Sequence, residues 1–251
     1  MVAAGIGIVS AGLCITSVVM LGVFRQLFNR IRDRVNRNTK IPGVIVAAVI
    51  GGITVGTIGW VLPLTIGDGN IACGTIIRMT YQQLQFSAGN APEQEGHMTI
   101  HLLLSVLFMK LFTLGVSMNC GFVGGFVFPM ITVGAAAGSA CAMYYPNQPM
   151  GLCVGCFIGA VPAGICPMPF TMLGIAVYSF YFGLYQTVPI YVAILTSYMV
   201  VCGSGLFRKM ADRGDAAALL RKQELEEEID MRISNLNETN RPANTVDHKE
   251  D

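Results

Sequence analysis

The sequence predicts an all-α membrane protein, a polytopic bundle of tilted and broken, re-entrant helices. Three observations carry that reading. Hydrophobic residues make up 53% of the 251 residues, whereas Asp, Glu, Lys and Arg make up 12%, about half the usual share. The charges are segregated, with 19 of the 31 lying between Arg208 and Asp251. From Leu111 to Phe207, 97 consecutive residues contain no Asp, Glu, Lys, Arg or His. A folded surface facing water needs polar and charged side chains, so this run belongs in lipid or inside a bundle.

The same counts exclude other classes. A net charge of +1 with one short basic cluster leaves no electrostatic footprint for nucleic acid. High hydrophobicity argues against disorder over most of the chain. A β-barrel would alternate in segments of about ten residues, and these apolar stretches are continuous and longer. No signal peptide is read at the N-terminus, because the basic residues follow the apolar run instead of preceding it.

The first span runs from about Val2 to Phe24, long enough to cross a bilayer core as a helix. Arg25, Arg30, Arg32, Arg34, Arg37 and Lys40 come next, opposed only by Asp33, and so short a basic connection is expected on the cytoplasmic side. A second span starts after Lys40-Ile41-Pro42 and reaches about Leu62. Its Gly52 and Gly56 are four apart, a spacing that lets helices approach closely. Pro63 and the Gly67-Asp68-Gly69-Asn70 turn end it. A shorter helix covers about Ile71 to Leu84, expected to lie at the outer surface, with Arg78 turned away from lipid. Gln85 to Gly96 is a polar connection. A helix from about Met98 to Ser117 carries His101 and Lys110, and an ionisable group at membrane depth is a functional candidate unless it snorkels.

The charge-free run is broken at Asn119, Gly121, Gly124-Gly125, Pro129, Pro146, Pro149, Pro162, Pro167, Pro169 and Pro189. In hydrocarbon such breaks are tolerated only where protein buries them or they line a cavity. Short, re-entrant helices are therefore expected, the pattern in which half-helix ends form transport sites. Gly151, Gly155, Gly159 and Ala163 repeat at intervals of four, as do Gly134 and Gly138, and read as ordinary close packing. The eight cysteines all fall in the apolar portion. Cys153 and Cys156 have CxxC spacing, but zinc needs about four ligands and no His or acidic residue is near in sequence. No metal or cofactor is expected.

Residues 1–207 are thus expected to form the transmembrane region, 208–234 a cytoplasmic charged helix built on Leu219, Leu220, Leu225 and Ile229, and 235–251 a disordered tail. The Asn237-Glu238-Thr239 sequon is discounted, since a cytoplasmic tail would not meet the glycosylating enzyme.

The densest local signal is Gly124-Gly125-Phe126-Val127-Phe128-Pro129. A double glycine leads into an apolar helix whose first turn holds a proline, where the missing N–H costs nothing. The first N–H groups of a helix lack internal partners and that end of the dipole is positive. At membrane depth such an end can hold an anion through backbone N–H groups alone, strongly enough to bind and weakly enough to release. A tight helix-packing corner would explain the two glycines equally well.

Met109 to Ala140, through Lys110, Ser117, Gly124-Gly125 and Phe126-Val127-Phe128-Pro129, resembles the chloride channel/transporter (CLC) family with its GxFxP anion-binding motif. Gly134-Ala135-Ala136-Ala137-Gly138 is similar to the continuation of that motif. Gly159-Ala160-Val161 through Pro169-Phe170-Thr171 is similar to a later family segment, and Gly203-Ser204-Gly205-Leu206-Phe207 resembles the stretch leading to the family's pore tyrosine. The Ile66-Gly67-Asp68-Gly69 turn falls where the family has a Gly-rich turn.

The resemblance implies one inverted-repeat half of a CLC-type fold, the second, in an integral multi-pass membrane protein with a cytoplasmic C-terminal tail. It implies chloride as the transported ligand and transport in place of catalysis. It also implies a homodimer through helices matching about 168–203. Gly125, Phe126, Val127 and Phe207 are the expected anion-binding residues, supported by Gly124, Phe128 and Pro129. The family's first half, with its serine loop and its gating and proton-transfer glutamates, has no counterpart here, and none of Asp33, Asp68, Glu93 or Glu95 sits in a matching motif. The chain is therefore expected to be a fragment, with a missing N-terminal half as a further partner. Val127 stands where the family favours Phe. Phe207 replaces the pore tyrosine, losing a hydroxyl hydrogen bond worth about 1 kcal/mol. Pro167 and Ser179 replace an arginine and an acidic residue. A channel and a proton-coupled exchanger both fit. Two other readings stand beside this one, a transporter of another solute and a non-conducting half-fold subunit.

Overall fold

A computed structural model describes residues 1–38, 42–67, 69–88, 98–122, 124–166, 168–180 and 183–205. The chain divides into two compact units, Met1–Ser204 and Gly205–Asp251; the helical bundle is the first of them. Phe207, the charged helix expected at 208–234 and the tail at 235–251 lie outside the described residues, as do Asp68 and Pro167.

The described residues form helices in the order α1 (Val2–Asn38), α2 (Gly43–Val61), a 3-10 turn (Pro63–Thr65), α3 (Asn70–Ser87), α4 (Ile100–Cys120), α5 (Val127–Tyr144), α6 (Met150–Ala163), α7 (Pro169–Phe180) and α8 (Leu184–Gly203). Five of these helices, α1, α2, α4, α5 and α8, are long and apolar enough to cross a membrane. The 14 residues of α6 and 12 of α7 extend only about 20 Å at 1.5 Å per residue, short of a bilayer core. Broken helices are therefore present, as the prolines and glycines predict.

Several boundaries differ from the sequence expectation. α1 does not stop near Phe24 but continues as one 37-residue helix through the basic segment. No Gly or Pro lies between Gly22 and Pro42 to stop it, and its cationic end is tied into the fold: Arg32 Nη2 donates to the Asn119 carbonyl at 2.6 Å. Asn119 Nδ2 in turn donates to the carbonyls of Gly115 at 2.8 Å and Leu21 at 3.2 Å. α3 packs one face against the bundle. Ala72, Cys73, Ile76 and Thr80 form a buried stripe along it, and Thr132 Oγ1 on α5 donates to the carbonyl of Gly69, which precedes α3, at 3.1 Å. Pro162 and Pro189 do not separate helices; they lie inside α6 and α8.

Lipid is as apolar as a leucine side chain, so helices here associate through close packing and interhelical hydrogen bonds. α5 and α6 form the central antiparallel pair. A Cβ at Gly134 would stand 2.6 Å from the Phe157 carbonyl oxygen, and one at Gly138 would stand 2.6 Å from Val154 Cα. Gly159 continues the seam onto α8, meeting Ile190 and Ile194, and the buried Ser197 hydroxyl donates to the Ala160 carbonyl at 2.8 Å. α1 and α8 run side by side, with Gly7 against Ala193 and Thr196, and with Cys14 and Val201 meeting at Gly164.

On α2 the expected pair is not the seam. A Cβ at Gly56 meets nothing within 4 Å, and one at Gly52 meets only the Phe122 ring at 3.8 Å. The buried row is Gly43, Ala47, Gly51 and Gly59. Gly51 packs on Cys120, Gly59 packs on Ile66, and Gly43 donates its N–H to Asn36 Oδ1 at 2.7 Å. That row also repeats at multiples of four, one residue over from the expected one.

Gly138→Leu is expected to destabilise the bundle by about 1–3 kcal/mol or more, because the atom it would strike is backbone. Gly56→Ala should be neutral or stabilising by up to about 1 kcal/mol, the helix propensity difference. Unfolding of the two variants in detergent micelles measures both effects.

Candidate functional site

The site is built from the end of α4 to the start of α5. α4 terminates on Gly121, whose φ of 107° is the left-handed conformation that ends helices. The chain then passes through Gly124 and Gly125, and Phe126, at φ −93° and ψ −15°, leads into α5 at Val127. Met130 N–H to the Phe126 carbonyl at 3.1 Å is the first hydrogen bond of the helix. Pro129 has no N–H to lose. The N–H groups of Val127 and Phe128 have no acceptor among the described residues, as the helix geometry requires of a first turn.

The two glycines are not a packing corner. A Cβ added at Gly124 or Gly125 would meet nothing within 4 Å, and neither has a positive φ. Both are exposed, whereas Phe126 and Val127 are half-buried and Phe128 is 48% exposed. What the missing side chains leave is open access to backbone donors, a use of glycine distinct from turn formation.

A cavity of about 240 Å³ opens against this turn, lined by Thr65, Gly67, Lys110, Ser117, Gly124, Gly125 and Pro129 among others. Lys110 is 3% exposed. Its ammonium does not snorkel to the surface; it donates to the Thr65 and Gly67 carbonyls, each at 2.9 Å. These carbonyls close the 3-10 turn after α2, where a cation is favoured by the exposed oxygen ends. The cavity wall is therefore not free of fixed charge, as the charge-free run alone suggests. The positive group that reaches it is engaged with backbone oxygens.

The turn that receives Lys110 is docked onto α5. Gly67 and Gly69 adopt φ of 76° and 100°, and a Cβ at Gly69 would fall on the Thr132 hydroxyl. Thr132 Oγ1 is shared between the carbonyls of Gly69 at 3.1 Å and Phe128 at 3.2 Å. On the other side of this contact a second cavity of about 270 Å³ is lined by Gly69, Asn70, Cys73, Phe128, Ile131 and Phe180. The start of α3 thus comes beside the start of α5.

Of the residues expected from sequence, Gly124, Gly125 and Pro129 gather on the first cavity, and Phe128 lines the second. Phe207 lies outside the described residues. Thr65, Thr132, Asn70 and Cys73 join the site without having been singled out by the linear sequence. The signals that could have found them are the Gly67–Gly69 turn and a lysine at membrane depth, which needs carbonyls or carboxylates to face. His101 remains on the first turn of α4 and lines neither cavity. Among the described residues no three His, Cys, Asp or Glu side chains gather as a metal site requires, and Cys153 and Cys156 are free thiols in the α6 core.

A family model, voltage gated chloride channel, matches residues 4–202 of the chain. No curated protein and no solved structure matches it. The matched span takes in α1 through nearly the last residue of α8 and includes both glycine turns.

Lys110→Met is expected to lower stability by about 2–3 kcal/mol, since the buried Thr65 carbonyl and the part-buried contact to Gly67 both lose a charged donor. Gly125→Ala should leave stability within about 0.5 kcal/mol of the parent, as surface changes usually do. Thermal unfolding in detergent, followed by tryptophan fluorescence of Trp60, checks the pair.

Proposed function

We propose, for a chain that belongs to the voltage-gated chloride channel family, that the amino-terminal end of α5 is an anion site through which the protein takes part in chloride transport. The observation that carries this is the pair Gly124-Gly125, whose missing side chains serve neither packing nor a positive φ and which open onto N–H groups at the head of an apolar helix that have no acceptor among the described residues. Backbone amides hold an anion without a full positive charge, so the ion can leave as well as bind. Gly125, Phe126 and Val127 supply the donors. On the family resemblance Phe207 is the neighbouring wall, with weaker binding than a hydroxyl-bearing residue would give. Lys110 supports the site by holding the Thr65–Gly67 turn in place.

The protein is an integral, multi-pass membrane protein, as its family and its five long apolar helices require. The exposure of Gly124, Gly125 and Phe128 favours a site completed by a further wall, from additional polypeptide or a partner. On the same reading, the lipid-facing side of α7 and α8, with Phe170, Tyr178, Val188 and Met199 exposed, pairs with a second copy.

Replacing the residue 127 amide by an ester removes one donor without constraining Phe126. A proline there would disfavour the αR conformation that Phe126 adopts. The loss of one hydrogen bond of about 1 kcal/mol predicts chloride binding weakened about fivefold. Gly125→Leu, which fills the approach without a clash, should cut chloride flux more than tenfold in reconstituted vesicles. Unchanged flux in both variants removes α5 as the site, and a different solute outcompeting chloride points to the other-solute transporter. Cross-linking in mild detergent is expected to yield a dimer, and a monomer under those conditions rejects the α7–α8 pairing.

A further inference from the structure

A third cavity, larger than the two at the α5 turn, adjoins the second of them, with Phe180 lining both. It measures about 600 Å³, within the range of small-ligand sites, and is lined by Gly74, Ile77, Arg78, Tyr81, Met150, Gly151, Val154, Phe180 and Gln186. Its position is set by helix ends. Met150 is the first residue of α6, Gln186 lies in the first turn of α8, and Phe180 closes α7. Because α8 runs parallel to α1, with Gly7 against Ala193 and Thr196, these ends lie level with the start of α1 and opposite its Arg25–Arg37 end. The cavity therefore lies toward one end of α1 and α8, two helices long and apolar enough to cross a membrane.

The polar groups there are unspent. Among the described residues Arg78 has no hydrogen-bond or ion-pair partner, and neither does the Gln186 side chain. The Tyr81 hydroxyl accepts from Gln85 Nε2 at 3.0 Å and keeps its own proton to donate. Two helix N-termini, those of α6 and α8, add their positive dipole ends. Ile77, Met150, Val154 and Phe180 supply an apolar wall. A free guanidinium beside an amide, a phenol and hydrocarbon is the complement of an anionic head on an apolar chain, and basic pockets between membrane helices hold lipid headgroups in this way.

We propose that this cavity seats an anionic membrane lipid, its phosphate held by Arg78, Tyr81 and Gln186 and one acyl chain lying on Ile77, Met150, Val154 and Phe180. The seat does not depend on the anion reading of α5. It is tested on the full chain purified in mild detergent, by native mass spectrometry and thermal unfolding with phosphatidylglycerol, phosphatidylcholine or inorganic phosphate added. Phosphatidylglycerol should be retained about tenfold better than phosphatidylcholine, the loss expected of one charge-assisted pair, and should raise the unfolding temperature. R78Q should abolish that preference. G74L should do the same while leaving the guanidinium in place, since a Cβ at Gly74 meets open space and the added side chain would fill the cavity. Equal retention of the two lipids, or an undiminished preference in both variants, overturns the proposal. Stabilisation by inorganic phosphate equal to that by phosphatidylglycerol overturns the lipid assignment in favour of a soluble anion.

Discussion

Every helix that ends inside a membrane leaves backbone groups that lipid cannot satisfy, and this constraint organises the molecule. The two kinds of end are treated differently. Two carbonyl ends are met by cations: Lys110 reaches the oxygens of Thr65 and Gly67 after α2, and Arg32 reaches that of Asn119 at the end of α4. The N–H end of α5 receives no such partner from the described residues and opens onto a cavity. These two oxygen ends are thus met within the chain, while a donor end stays available. An anion is the ligand that this asymmetry suits.

Close packing of small residues makes the arrangement rigid enough to hold that end in place. Gly134 and Gly138 bring α5 onto the backbone of α6, and Gly159 brings α6 onto α8. Thr132, one turn into α5, fastens the glycine turn that Lys110 grips from the other side. The donor end of α5 is therefore positioned by α6 and by the glycine turn, through contacts that leave its own glycines bare. The same sparing use of side chains leaves space beside α3, where Arg78 and Gln186 face a cavity with no partner among the described residues.

Much of this was legible in the linear order of residues. The start of α5 was readable to within a residue, because Gly-Gly before an apolar run with proline in its first turn has few other conformations. Other features were less visible. α1 continues past Phe24 because charge, unlike Gly or Pro, does not stop a helix. On α2 two interleaved glycine rows both satisfy a four-residue spacing, and only the positions of Cys120, Ile66 and Asn36 choose Gly43, Gly51 and Gly59 over Gly52 and Gly56. Pro189 reads as a break yet lies within α8, an instance of packing overriding a local preference.

Composition and punctuation alone determined a helical membrane protein, its broken helices and the donor-rich head of α5, because those features arise from the absence of charge and from the restricted conformations of glycine and proline. The tertiary structure decided what surrounds that head. Lys110 could have snorkelled, carried a ligand or capped a turn, and it caps because residues 45 and 43 positions away in the chain bring their carbonyls within 2.9 Å. The glycines at 124 and 125 could have been a packing corner, and they are open because nothing lies within 4 Å of the Cβ that either would carry. Spacing along a chain specifies which groups lack partners, but which partners arrive depends on contacts between helices far apart in sequence.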